Sequence, residues 1–525
     1  MIFPRIALAP VGLVVAGLAC SSGAAPPPLD GGHTSGDSGH GGSGSGSGSS
    51  DSGPSAFYSP TGCSYTVSPA ASQGYTALAL DDGTSAGAAS TATPLRVRLG
   101  LGGDVTEGKP GYADPTTTAV LTWETTGANH AAKVRFGTSA GSMGTVQTGY
   151  VWTLPPVSTL GGSPTYMHEV HVCGLTPATT YYYQVGGGAS GSEIWSATQT
   201  FTTIASSGSV TVGIGGDSRN SSMVWQVANE HMKAKNIDAM LFTGDLTLLG
   251  DAETDYVNFL DAIWQTADGG PFLTLGQTLF LTVAGNHEYE GDTGASAGPT
   301  YAQWLSAFAM PGSGPYAKSF GSFNLGTGHF IYIEDNELAN LPAGSDNPQV
   351  DAQLAWLKAD LMAANADRTK HPFVFVMNHR GLFSTSYHAA DPDVLQARST
   401  LAPIFAQYKV DAVFNGHDHE YERTVPIVPG SPVTGDPTPM TGGTTYVICA
   451  GVGAQPYAVG QGTQSWRAVK VPFGSAATAP DAAAEAAYLG VYQTLTLSGT
   501  QAVLTAYGLT SAGPDPVIDT VTLSH

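Results

Sequence analysis

The segment GHDHEYER, residues 416–423, sets His417 and His419 one residue apart, directly after the apolar run VDAVFN. Two imidazoles so spaced, where a buried strand reaches the surface, have the reach to ligate one cation or two neighbouring ones. Alone, the pair decides little. Four other segments place ligand-type residues in the same situation. GDSR follows VTVGIG and carries Asp217; GDL follows DAMLFT and carries Asp245; GNHE follows LFLTVA and carries Asn286 and His287; NHR follows PFVFVM and carries His379. Each is commonplace by itself, since GD dipeptides abound and a lone strand histidine is usually packed. Five in order, all at strand exits, are not. Carboxylates, an amide oxygen and imidazoles together suit borderline ions such as zinc, iron or manganese. A carboxylate shared between two such ions holds them about 3.5–4 Å apart.

The elements that must position these residues alternate. Helical spacing runs through SMVWQVANEHMKAK, ETDYVNFLDAIWQ, VDAQLAWLKADLMAAN and DVLQARSTLAPIFAQY, and these four segments fall between the five apolar runs. Strand–helix alternation predicts an α/β domain over 205–525, with ligands on the rim beyond the strand ends. SFNLGTGHFIYIE, TTYVICAG and YQTLTLSGTQAVLTAYG add strands, so the sheet is expected to be mixed and double. Before it, 93–204 contains short alternating strands between Gly, Pro, Ser and Thr breaks, which predicts an all-β sandwich. There His168 and His171 read as residues of a strand face. His231, His329 and His371 read as structural, and Trp264 and Trp356 as core. Tyr289 and Phe383, beside the motifs, are candidate pocket walls.

The order GD, GD, GNH, VxxH, GHxH resembles the calcineurin-like metallophosphoesterase superfamily. GHDHEYER resembles the GHxHxYER segment of the purple acid phosphatases, and HEVHVCGLTPATTYYYQV is similar to the late strands of their fibronectin type III-like first domain. The resemblance covers 93–525. It implies a two-sheet α/β/β/α metallophosphoesterase sandwich behind a fibronectin type III-like one, and two metal ions, iron with zinc or manganese. Carried over by position, Asp217, Asp245 and His419 hold the first ion; Asp245 bridges to the second, which Asn286, His379 and His417 complete. His287 falls where the family hydrogen-bonds the phosphate and protonates the leaving group. His388 falls at a substrate-side position, and Arg380 or His388 is expected to stabilise charge on the phosphoryl oxygens. Glu420 and Arg423 read as braces of the loop.

Two departures stand out. Where the purple phosphatases have the tyrosine ligand of GDxxY, this chain has Leu248; where other members have the histidine of DxH, it has Arg219. The first ion therefore lacks one ligand by either scheme, and Leu248 predicts no tyrosinate-to-iron colour. Arg219 is expected either to grip phosphate or to pair with a carboxylate.

Composition narrows the function. With 41 acidic against 19 basic residues the net charge is −22, which argues against nucleic acid or an anionic membrane face as partner. Small phosphorylated substrates then require local positive charge, such as bound metal. Residues 1–20 read as an export signal, in which GLAC resembles a bacterial lipoprotein cleavage site that would leave Cys20 lipidated, the only expected membrane contact; the alternative is an ordinary cleaved signal. Residues 21–56 are a Gly/Ser-rich flexible linker and 57–92 an N-terminal extension. The expected location is outside the bacterial cytoplasm: an outer-membrane lipoprotein, or periplasmic or extracellular. A Cys63–Cys173 disulfide suits such a compartment, though spacing alone leaves it open. The function expected is phosphomonoester hydrolysis by cation-activated water. The alternatives are a phosphodiesterase or nucleotide hydrolase on the same scaffold, or a surface-binding protein with weakened catalysis.

Overall fold

The computed structural model describes residues 58–67, 76–77, 92–125, 131–153, 165–188, 191–219, 221–250, 253–264, 274–290, 302–312, 316–342, 344–433, 435–457, 464–471 and 488–525. The export segment, the Gly/Ser-rich linker and most of the extension lie outside the described residues.

Between Thr76 and Thr202 two antiparallel sheets face one another. One runs in the order Thr76–Ala77, Tyr150–Thr153, Tyr166–Cys173, Thr118–Thr125, Leu95–Gly100; the other runs Gln199–Thr202, Thr180–Gly187, Lys133–Gly137, Thr145–Thr148. Alternate residues such as Val97, Leu121, Trp123, Val134, Val170 and Tyr183 fill the space between them. The extension is tied to this sandwich: Cys63 is disulfide-bonded to Cys173, and the backbones of Tyr58 and Val67 exchange hydrogen bonds.

The α/β part has two stacked sheets. The first places Leu279–Thr282, Ala239–Phe242 and Val210–Gly215 in parallel, then adds the antiparallel strands Gly490–Ser498, Gln501–Leu509 and Val517–Ser524. The second runs Gly321–Leu325, Gly328–Tyr332, Phe373–Met377, Ala412–Asn415, Thr445–Cys449, Tyr421–Thr424, Arg467–Val471. Val212, Ile214, Leu241 and Leu281 of the first meet Phe330, Phe375, Phe414 and Val447 of the second. Helices Ser222–Lys233 and Glu253–Ala262 cover the outer face of the first sheet through Trp225 and Phe259. Helices Pro348–Ala366 and Pro392–Gln407 cover the second through Leu357, Leu361 and Leu401. Strands covered on both faces carry near-continuous apolar runs. This is the expected α/β/β/α arrangement, mixed and double. Its parallel strands end along one rim, where the polar motifs begin.

Candidate metal centre

At that rim the backbone is strained. Asp217, Asp245 and His417 take φ of 59°, 53° and 72°, and Arg219 takes 44°. These left-handed conformations are costly for non-glycine residues and are retained where a site requires them. The preceding glycines allow close approach: a Cβ on Gly285 would stand 2.1 Å from Asp245 Oδ1, and one on Gly416 2.5 Å from Asp217 Oδ2. That is a steric reason for the glycines of GNH and GHxH.

Four donors converge on one point. His379 Nε2 lies 3.1 Å from Asn286 Oδ1 and 3.2 Å from Asp245 Oδ1; His417 Nδ1 lies 2.9 Å from Asn286 Oδ1 and 3.3 Å from His379 Nε2. Edges of this length belong to donors each about 2.0–2.1 Å from a common centre. The tautomer of His379 agrees. Its Nδ1 is 2.7 Å from the Thr243 carbonyl, which can only accept, so Nδ1 carries a proton and neutral His379 turns a lone pair inward. Beside this group, His419 Nε2 faces Asp217 Oδ1 at 3.5 Å. Its Nδ1 donates to the Gln455 carbonyl, so Nε2 is again the free lone pair. The His417 backbone N–H donates to both Asp217 oxygens, at 3.0 and 3.2 Å. Asp217, Asp245 and His379 offer ligand atoms all within 4.8 Å of one another. His419 Nε2 is buried without a hydrogen-bond partner. The donor set fits cations.

Charge points the same way. Burial raises the Asp245 carboxyl, but His379, His287 and Arg219 outweigh it and hold Asp245 well below the carboxylate range. Burial lowers His379, and Asp245 more than offsets this, bringing it up to about 10. His417 is driven well below the imidazole range by burial and by the charges of His379, His388 and Arg380. Without cations, then, a proton on His379 balances the carboxylates; metal binding displaces such protons.

The rim residues divide. His287 Nδ1 bonds the Leu248 carbonyl at 2.7 Å, and Nε2 stands 3.9 Å from Asp245 Oδ2. His388 lies beside the cluster, its ring centroid 4.2 Å from that of His417, with Nδ1 held by Asp391 at 2.7 Å. Arg219 donates through Nε and Nη2 to Asp245 Oδ2, at 3.1 and 2.8 Å, so it pairs with a carboxylate. Arg380 departs from expectation. It is fully buried and committed to Asp393 at 2.7 Å, Asp335 at 3.1 Å and the Asn336 side chain at 2.7 Å. With its guanidinium held among these acids, it braces the loop and is not on the open rim. Phe383 is likewise core, packed on Tyr446. The braces Glu420 and Arg423 pair with Lys470 and Asp519.

Two residues escaped the sequence reading. Glu288 accepts from the backbone N–H groups of Asp245, Thr247 and Gly285 at 2.8–3.0 Å, locking two ligand loops together; the E of GNHE was its available signal. Tyr457 arrives from the loop after Thr445–Cys449. Its ring stacks on His419 with centroids 4.0 Å apart, and its hydroxyl, pushed up to about 12 by burial, hydrogen-bonds Arg219. No local motif announces it.

Comparison with known proteins agrees with this geometry. Residues 110–203 match the model of the purple acid phosphatase N-terminal domain and 214–421 that of the calcineurin-like phosphoesterases. Purple acid phosphatase 21 of Arabidopsis thaliana is 29% identical over 269 residues, 50% of this chain and 54% of the relative. The chain thus carries a segment similar to the purple acid phosphatase N-terminal domain followed by one similar to the calcineurin-like phosphoesterases, the domain order of the purple acid phosphatases it resembles. Human acid phosphatase type 7 is 26% identical over 58% of this chain and 69% of its own length. This purple acid phosphatase-like chain spans about half the length of the plant relative it matches. A purple acid phosphatase from yellow lupin seeds shares the fold, with a TM-score of 0.62 at 19% identity over 82% of this chain and 74% of that one. The family is metal-dependent and dinuclear.

Proposed function

We propose that the chain is an exported metal-dependent phosphomonoesterase acting on small phosphorylated substrates. The observation that carries this reading is the convergence of Asp245, Asn286, His379 and His417, with contacts of 2.9–3.3 Å between donors that cannot all be satisfied by protons. These four are assigned to one ion. Asp217 and His419, with Asp245 shared, would hold the other. Tyr457, stacked on His419, is the nearby phenol suited to the place that Leu248 vacates. Iron paired with zinc or manganese is the assignment that suits this mixed donor set.

Bound, the cations supply Lewis acidity and acidify water at the site. The chain's own residues do the rest. Thr243 and Gln455 fix the ligand tautomers, and Glu288 holds the Asp245 and Asn286 loops in register. The Leu248 carbonyl fixes the His287 proton on Nδ1, leaving Nε2 to carry a second proton when the ring is charged and to pass it to the leaving oxygen. Arg219, 14% exposed on its side chain, and His388 are the groups placed to receive phosphoryl oxygens. Export is supported by the Cys63–Cys173 bond, which suits an oxidising compartment. Among the described residues no helix is long and apolar enough to cross a membrane; a lipid on Cys20 is the proposed anchor. Metal analysis of the natively produced protein, beside turnover of chromogenic mono- and diesters, tests the reading. Two ions per chain and preference for the monoester are expected; a metal-free chain, or one inert toward both esters, overturns it.

A further inference from the structure

Away from this centre a cavity of ≈ 790 Å³ opens between the sandwich and the α/β part, lined among others by Glu107, Tyr112, Asn324, Asp367, Lys370 and His371. Three of these residues form a second convergence of ligand atoms. Glu107 lies in the loop between the strands Leu95–Gly100 and Thr118–Thr125. Asp367 caps the helix Pro348–Ala366, and His371 precedes the strand Phe373–Met377. One ligand atom from each lies within 4.8 Å of the other two.

Clustered carboxylates alone signify little. The second observation is His371. It is only 7% exposed, yet neither ring nitrogen has a hydrogen-bond partner. A buried imidazole without partners is costly, and native structures rarely leave one so. Its Nε2 faces Glu107 Oε1 across 3.9 Å, too long for a hydrogen bond and wide enough to admit an ion between them. The neighbouring His329 differs, with Nδ1 on Asn324 at 2.8 Å and Nε2 on Asp360 at 2.8 Å; it is satisfied and needs nothing. Glu107 is already aimed, since Asn324 Nδ2 donates to its Oε1 at 3.0 Å. Lys370 approaches the same oxygen only to 3.9 Å and is 67% exposed, so it can swing into solvent when a cation enters.

We propose that Glu107, Asp367 and His371 form an accessory site for one borderline divalent cation of the zinc type, water completing the coordination. Two carboxylates and a neutral imidazole are a donor set zinc accepts. The ion joins a loop of the sandwich to the helix–strand junction of the α/β part. It acts as a structural clasp and takes no part in hydrolysis.

The test is the number of zinc ions bound by the full-length, metal-stripped protein, followed with thermal stability. His371→Ala is expected to bind one equivalent fewer than wild type, whatever number the phosphoesterase centre holds. It should keep full turnover when metal-replete and show a smaller zinc-dependent rise in Tm than wild type. Asp367→Asn, at a half-exposed helix end, should reproduce the missing equivalent and guards against a folding defect in His371→Ala. Equal zinc stoichiometry in wild type and both variants overturns the proposal. So does a lost equivalent accompanied by lost turnover, because the ion removed then belongs to the phosphoesterase centre.

Discussion

Buried histidines occur both in the sandwich and at the rim of the α/β sheets, and their surroundings differ in kind. In the sandwich, His171 meets the Tyr65 hydroxyl at 2.7 Å through Nδ1 and Glu169 at 2.9 Å through Nε2, and Lys318 reaches the other Glu169 oxygen at 3.0 Å. Within this group each donor has an acceptor. At the rim, His379 Nε2 has an amide oxygen, a carboxylate oxygen and a second imidazole nitrogen, all within 3.1–3.3 Å, and one proton can serve only one of them. A polar cluster that closes on itself is structure; one whose lone pairs face each other is suited to a cation. Burial is the same in both.

The largest effect that would break this contrast is at Asp245. Asp245→Asn should lower kcat/KM on a chromogenic monoester by about 10³-fold or more, with loss of bound metal; retained turnover would remove the centre from the chemistry. His287→Ala should cost about 10²–10⁴-fold in kcat with metal content unchanged, which a metal assay beside kinetics separates from ligand loss. Glu288→Gln touches no donor directly and should weaken metal retention by about 10–100-fold, read by competition with a chelator. Tyr457→Phe sharpens the assignment of the first ion. Iron-loaded wild type should show a visible phenolate-to-iron band that this variant lacks, whereas a colourless wild type would return the site to the expectation drawn from Leu248. The smallest effect on catalysis belongs to the sandwich. Burial raises Glu169, but Lys318 and His171 outweigh it and hold it at about 2, against an ordinary 4.5. A depressed carboxyl stabilises the fold fully above its unfolded value, and that contribution is lost as pH falls from 4.5 toward 2. Glu169→Gln should therefore flatten the acid limb of a Tm-against-pH curve while leaving kcat/KM near wild type.

The alternation of strands and helices and the positions of Asp217, Asp245, Asn286, His379, His417 and His419 were legible because each motif is local: an apolar run, a glycine, a ligand-type residue. What lay outside local pattern was not. Arg380 follows His379 in sequence, but both lie in the bend beyond Met377, where strand alternation no longer fixes direction, and its guanidinium turns inward to Asp335. The carbonyls of Thr243 and Gln455, which set two imidazole tautomers, have no residue-type signature. Tyr457 reaches the centre from a loop that no motif connects to Asp245. The pairing of Cys63 with Cys173, a candidate that spacing left open, is decided by the extension lying against the strand Tyr166–Cys173.

The strand that delivers Asp217 is flanked on one side by Gly490–Ser498, the first of three successive antiparallel strands between residues 490 and 524. A nascent polypeptide leaving the ribosome therefore carries an open strand edge until its C-terminal portion emerges. Assembly of the centre is postponed until that strand has been made, and a nonsense mutation ahead of Gly490 should yield insoluble product, not a shortened enzyme.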